Sequence, residues 1–324
     1  MKTKIKMITK FLTIPFIIFF IIVGLLLAYK SQTSPVLKEA EFKTFTITPG
    51  QSSSEIGKNL KKEGLIKNSI VFNLFVRLNN LAEKIQAGSF KLSPSMSLSE
   101  IGNQLTTGTF DVWITIPEGF RNEEIAQRLN EKLGIKEEDF LKIAEEGYMF
   151  PDTYLVPKES TAANIVSILR ENFDRKFSDE LKQMVTSRGL TEKEVIILAS
   201  IVEREALFAE DRPIVAGILL NRQNIAMALE ADATVQYALG YSEEEKTWWR
   251  KNLTEEDLRV NSQYNTRRHA GLPPGPICNP GLSAIQAVIN PAETDYLYYL
   301  SDKEGKMHYA VSLEEHIENI NQYL

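Results

Sequence analysis

The chain has 324 residues, 43 acidic against 37 basic side chains, one cysteine and three histidines. Its 43% apolar and 25% charged content is that of a globular protein and excludes wholesale disorder or a collagen-like repeat; a net charge of −6 speaks against a basic nucleic-acid binder. One cysteine cannot close an intrachain disulfide, and no Cys/His cluster has zinc spacing, so no metal or other cofactor is expected.

The charge is unevenly placed. Residues 1–30 carry five lysines and no acid, which leaves residues 31–324 with 32 basic against 43 acidic side chains, a net −11. Phe11 to Ala28 is an 18-residue run without a charge. As a helix it would measure roughly 27 Å, close to the ~30 Å hydrocarbon core of a bilayer. Lys2, Lys4, Lys6 and Lys10 precede it and only Lys30 follows directly. The positive-inside bias therefore predicts a cytoplasmic tail at 1–10, a single-pass transmembrane helix at 11–29, and a remainder outside the cell membrane. Leu27-Ala28-Tyr29-Lys30 is a poor signal-peptidase site, which favours an uncleaved anchor. Residues 30–44 are polar and read as a linker.

Residues 45–158 read as a repeat region in which one layout recurs. Phe45-Thr46-Ile47-Thr48 alternates like a strand, then Pro49-Gly50 turns, and Ser52-x-x-Glu55 opens Ile56-Gly57-x-x-Leu60. Phe90-Lys91-Leu92 is followed by Pro94, Ser97-x-x-Glu100 and Ile101-Gly102-x-x-Leu105. Val112 to Ile116 is followed by Pro117 and Ile125-Ala126-x-x-Leu129, with Arg121 in the capping slot of this imperfect third copy. The serine–glutamate pairs are capping boxes, in which hydroxyl and carboxylate each satisfy a free amide at the helix start. The product is strand, turn, capped amphipathic helix, and it resembles small LysM-like glycan-binding modules.

The second half, 159–324, reads as mainly helical, with helices at 161–188, 191–208 and 212–223. Thr191-x-x-Glu194 caps the octet Val195 to Val202, which is apolar around its whole circumference and so belongs to a buried helix. That helix runs straight into Glu203-Arg204-Glu205. A carboxylate continuing a buried helix is costly unless it is paired, or held protonated for a purpose. Glu203 lies one turn beyond the small residues Ala199 and Ser200, which leave room for a ligand, and Glu205 one turn beyond Ile201. Periodicity alone does not choose between the two acids, nor between catalysis and a simple ion pair. Four prolines and three glycines between Gly271 and Gly281 make a rigid loop suited to a cleft wall. Tyr296–Leu300 and Met307–Val311 read as a strand pair.

Ala199 to Glu205, Glu230 to Tyr237, Glu146 to Tyr154 and the Gly271–Gly281 loop together resemble the YceG-like family of endolytic murein transglycosylases. Arg267 stands where a tyrosine commonly follows the Tyr264-Asn265-Thr266 run, and Gln263 where a proline commonly precedes it. The resemblance implies an α+β fold and peptidoglycan glycan strands as substrate. It also implies a lyase that cuts the β-1,4 bond between N-acetylmuramic acid and N-acetylglucosamine to leave 1,6-anhydro ends. The family's catalytic glutamate falls on Glu203. Wall polymerases and division or elongation proteins are the implied partners; nucleic acid is not.

Beside the catalytic glutamate, Asp232, Thr234 and Tyr237 are candidate substrate contacts, Asp232 having helix N-capping as its alternative role. Tyr264, Asn265 and Thr266 offer hydrogen bonds to N-acetyl or hydroxyl groups, and Arg268 a partner for a lactyl or peptide carboxylate; each has loop structuring as its alternative. Two rival functions remain open: an anchored peptidoglycan-binding scaffold without catalysis, and a water-using muramidase with Asp232 or Glu230 as its second acid.

Overall fold

A computed structural model describes residues 19–108 and 110–324. Residues 19–33 are helical (α1). Among the described residues no helix is long and apolar enough to cross a membrane; the expected tail 1–10 and residues 11–18 of the expected span lie outside them. The chain divides into two units: one holds the residues up to Trp113 together with Leu155–Lys158, the other Ile114–Tyr154 and Glu159–Leu324. The helix of the third repeat copy belongs to the second unit.

The first unit runs β1 (Lys43–Ile47), α2 (Ser53–Lys62), α3 (Ser69–Leu78), β2 (Gly88–Leu92), α4 (Leu98–Thr107) and into β3 (Asp111–Thr115). β1 and β2 pair antiparallel from Lys43↔Leu92 to Ile47↔Gly88. Both expected capping boxes form, at Ser52/Glu55 and Ser97/Glu100. The helix α3 is an element the repeat pattern did not announce. Asn68 caps it by accepting from the Ile70 N–H at 2.9 Å, and it buries Phe72, Phe75 and Val76. Those side chains join Phe45, Ile56, Leu60, Phe90 and Ile101 in the unit's core, each large one contributing on the order of 1.5–3 kcal/mol.

The second unit begins in β3, continues through α5 (Asn122–Leu133) and α6 (Glu137–Leu141), and enters β4 (Thr153–Pro157), which completes the sheet order β1-β2-β3-β4. At the start of α5 Arg121 does not cap; only Glu124 reaches back, accepting from the Arg121 N–H at 3.1 Å. The helix expected at 161–188 is two, α7 (Ala162–Lys176) and α8 (Asp179–Ser187). Phe177 leaves the helical region, buries its ring against Phe173, and hands over to Ser178-Asp179, a helix start. There follow α9 (Glu192–Glu205), α10 (Arg212–Asn224), α11 (Asp232–Leu239), α12 (Leu282–Ile289), the hairpin β5 (Tyr298–Ser301) and β6 (Met307–Ala310), and α13 (Leu313–Tyr323). α9 is the axis of this unit. Thr191 and Glu194 form its capping box, Val195 through Val202 are all buried, and α8, α10, α11 and α12 pack around it. The α+β class expected from the sequence is the one observed.

Candidate active site

Glu203 sits in the last turn of α9 with its side chain only 5% exposed. One carboxylate oxygen accepts from Arg212 Nη2 at 2.7 Å. The other accepts from the backbone N–H of Gly281 at 2.9 Å, the residue that caps the N-terminus of α12. Burial pushes the Glu203 carboxyl above its ordinary range, against the Arg212 charge and the Gly281 hydrogen bond that favour the anion; Glu118 adds to the upward push. Desolvation outweighs the ion pair in setting the direction of that shift.

Glu118 is a neighbour of the Glu203–Arg212 pair that the sequence did not single out. It stands in the Pro117-Glu118-Gly119 turn after β3, half exposed, with Oε2 at 3.8 Å from Arg212 Nη1. Gly281 is packed so closely on it that a Cβ there would strike the Glu118 carboxylate. Arg212 and Gly281 are therefore shared by two acids, one buried and one open to solvent. Arg212 was equally unannounced: it opens α10 ahead of Pro213, a position that reads as a helix start.

The rigid loop is seated by Ser200 and Asn279. Ser200 Oγ accepts from the Ile277 N–H at 3.0 Å and donates to the Ile197 carbonyl at 2.7 Å, while Cys278 Sγ lies 3.3 Å from the Ser200 carbonyl. The space at Ser200, expected to admit a ligand, is thus filled by the loop. Asn279 is fully buried. Its amide donates to the Phe120 carbonyl, Asn122 Oδ1 and Glu146 Oε1 at 3.0–3.1 Å, and its Oδ1 accepts from the Met149 N–H at 2.8 Å. Glu146, which also accepts from the Asn122 N–H, is pushed up to about 8, chiefly by burial. Gly147 beside it has φ 90°, and a Cβ there would collide with Pro276 and Ile196, so glycine is required.

The other expected site residues separate into three groups, and no hydrogen bond or ion pair among the described residues joins any of them to Glu203. Thr234, Asn265 and Thr266, expected as substrate contacts, are buried. Thr266 Oγ1 accepts from the Ala231 N–H and pairs with Thr234, while Asn265 donates to the Leu258 and Val260 carbonyls. They structure the loop. Asp232 is the first residue of α11 and does not cap it; its carboxylate takes both Arg267 Nε at 2.9 Å and Nη2 at 2.6 Å. This pair lines a cavity of about 480 Å³ with Glu205, Arg222 and Tyr299, in which Glu203 takes no part. Glu205 accepts from the Ala233 N–H and Tyr299 OH, both at 3.1 Å, and is thereby committed to holding α11. Arg268 is exposed and donates to the Arg259 carbonyl. Tyr237 and Tyr264 form the third group, with ring centroids 4.7 Å apart and both phenols raised by burial.

Fold and site define a class of protein: an α+β chain in which a buried helix delivers one carboxylate to a Pro/Gly-rich loop, with an arginine and a second, open carboxylate beside it. The chain belongs to the YceG-like family, whose profile matches residues 45–322. It is 29% identical over 330 residues to an endolytic murein transglycosylase of Streptococcus pneumoniae, covering 88% of this chain and 59% of that protein, so it spans about three-fifths of the pneumococcal relative's length. A protein of the same name from Bacillus subtilis is 29% identical over 336 residues, covering 94% of this chain and 91% of that one. The crystal structure of a YceG-like protein from Listeria monocytogenes has a TM-score of 0.62 and 30% identity, covering 86% of this chain and 98% of that one.

Proposed function

We propose that this chain is an endolytic peptidoglycan lyase that cuts the bond between N-acetylmuramic acid and N-acetylglucosamine within glycan strands, with Glu203 as the catalytic residue. The observation that carries the reading is the Glu203 carboxyl, buried at the end of α9, raised by desolvation and fixed through both oxygens. A general acid must hold its proton near neutral pH. Protonated Glu203 gives its proton to the glycosidic oxygen as the C1–O bond breaks. The resulting carboxylate then takes the proton of the muramoyl C6 hydroxyl, whose oxygen closes on C1. Arg212 and the Gly281 N–H stabilise the carboxylate at that middle stage. When Glu203 is protonated, Arg212 still has Glu118 within 3.8 Å, so its charge is not stranded.

The names carried by the pneumococcal and Bacillus relatives support the reaction class. The apolar run from Phe11 to Ala28 with its leading lysines supports a single-pass anchor that leaves the catalytic unit outside the cell membrane. The β1-α2-α3-β2 order supports a LysM-like, glycan-contacting role for the first unit. Wall polymerases and division or elongation proteins are the partners such a position would serve. The decisive experiment digests purified glycan strands with wild-type chain and with Glu203→Gln. Wild type should yield anhydro-muramoyl ends, lighter by one water than hydrolytic ends, and the variant none. Wild-type activity in Glu203→Gln would end the proposal.

One observation favours a second reading, a water-using muramidase: Glu118, open to solvent, shares Arg212 with Glu203 and packs on Gly281, which makes it a candidate second acid. Reducing muramic acid at the new ends would select it. Asp232 and Glu230, the acids the sequence offered for that role, line the cavity of about 480 Å³ in which Glu203 takes no part.

A further inference from the structure

We propose that the second unit carries an additional saccharide subsite, separate from the scissile bond, in a cavity of about 240 Å³ whose walls include Phe120, Tyr241, Trp248, Gln127, Glu131 and Lys246. Its ligand is one N-acetylhexosamine ring of a β-1,4-linked strand, so it rests on the glycan-cleaving reading above. Glu203 does not line this cavity.

The walls have the chemistry of a sugar site. The Gln127, Glu131 and Lys246 side chains make no hydrogen bond or ion pair among the described residues, leaving amide, carboxylate and ammonium groups for hydroxyls and an N-acetyl group, while Glu124 and Arg128 in the same walls are committed to Trp249 and the Thr115 carbonyl. Trp248 and the exposed Tyr241 meet edge to face at 5.2 Å and supply the apolar surface on which a sugar ring's C–H face stacks.

The platform is fixed in advance. The Arg121 guanidinium lies between two rings, 4.2 Å from Tyr237 and 4.5 Å from Trp248. It is pinned there by Glu123 through Nε at 2.8 Å and Nη2 at 3.0 Å. With the Tyr237–Tyr264 contact, these groups form a continuous row from Tyr264 through Tyr237, Arg121 and Trp248 to Tyr241. The loop before Trp248 is closed by mutual backbone hydrogen bonds of Ser242 and Thr247 at 2.8 and 3.3 Å, and Lys246 within it holds a left-handed φ of 49°. Strained loops of this kind persist where the surroundings over-determine them. Trp249 ties the platform to the catalytic helix: its Nε1 donates to Glu124 at 2.9 Å, and Arg204, the neighbour of Glu203, lies over its ring at 3.9 Å. A rigid aromatic floor and uncommitted polar walls are what an immobilised sugar requires, since little ordering cost remains on binding.

The test is calorimetric binding to the whole chain carrying Glu203→Gln, with a β-1,4-linked N-acetylglucosamine hexamer and peptide-free glycan strands as probes. Adding Trp248→Ala should weaken hexamer binding about 3- to 10-fold, whereas Trp248→Phe should restore most of it. Gln127→Ala, a surface change with no partner to lose, should weaken it about 2- to 3-fold. The subsite is overturned if Trp248→Ala and Gln127→Ala bind the hexamer as the parent does, if phenylalanine restores nothing at an unchanged melting temperature, or if the parent binds neither probe. These results are independent of the catalytic reading, which stands or falls on whether Glu203→Gln still cuts.

Discussion

On the lyase reading proposed above, replacing Arg212 with methionine should move the pH at which activity falls off. In the structure the guanidinium stands 2.7 Å from a Glu203 carboxylate that is almost fully enclosed. An opposite charge at such range favours the anion by about 1–3 pH units, or roughly 1.4–4 kcal/mol. With the charge gone, burial and Glu118 are opposed only by the Gly281 N–H and the weaker influence of Arg204, and Glu203 holds its proton to higher pH. Because kcat/KM requires the protonated acid, its falling alkaline limb should shift upward by about 1–3 pH units in Arg212→Met. Stability follows the same sign. Glu203 is raised in the folded protein, so the folded state holds the proton more tightly than the unfolded chain. Stability is therefore full below the unfolded value and is lost as pH rises toward the folded one. The variant should extend that loss to higher pH. Glu118→Gln works the other way: removing a negative neighbour lowers Glu203, and the limb should move down by less than about 1 pH unit, because Glu118 is half exposed. The assay is kcat/KM for anhydro-end formation against pH, with thermal melts at each pH. An active Arg212→Met variant whose limb stays at the wild-type pH, or shifts downward, would refute the account of how Glu203 is tuned.

Two further outcomes follow from neighbouring contacts. Gly281→Ala keeps a permitted backbone (φ −75°) but places a methyl group on the Glu118 carboxylate; the mobile Glu118 side chain should swing away, leaving the melting temperature nearly unchanged and reproducing the Glu118→Gln limb shift in the same kcat/KM profile. Glu146, raised to about 8 by burial, should cost the wild-type chain a few kcal/mol of stability as pH rises from about 4.5 to 8. Glu146→Gln keeps an acceptor for the Asn122 N–H without the charge, and its denaturant midpoint should vary less across that window.

Sequence legibility tracked how local each feature is. The α9 helix was readable because its capping box and buried octet lie in one continuous segment; that position singled out Glu203 and Glu205 together, and the choice of Glu203 rests on the family resemblance. Glu118 and Arg212 were not readable: a glutamate in a turn and an arginine at a helix start look like ordinary solvated charges until the fold sets them beside Glu203. The same holds for the surroundings of Thr234, Asn265 and Thr266. Polar side chains in a loop read as offered outward, but each of these spends its hydrogen bonds on buried backbone, and Thr234 meets Thr266 only across 32 positions of chain. The helix α3 went unread because the repeat drew attention to serine–glutamate pairs, whereas its cap is an asparagine.

The Asn279 side chain closes three stretches of chain that are far apart in sequence: the turn at 119–122, the segment at 146–149 and its own loop. One amide group thus acts as a keystone. Until the last of the three arrives, Glu203 has no Gly281 N–H in place and the loop has no seat. An incompletely folded copy would lack the Glu203–Gly281 contact, which forms only together with the packing of its unit.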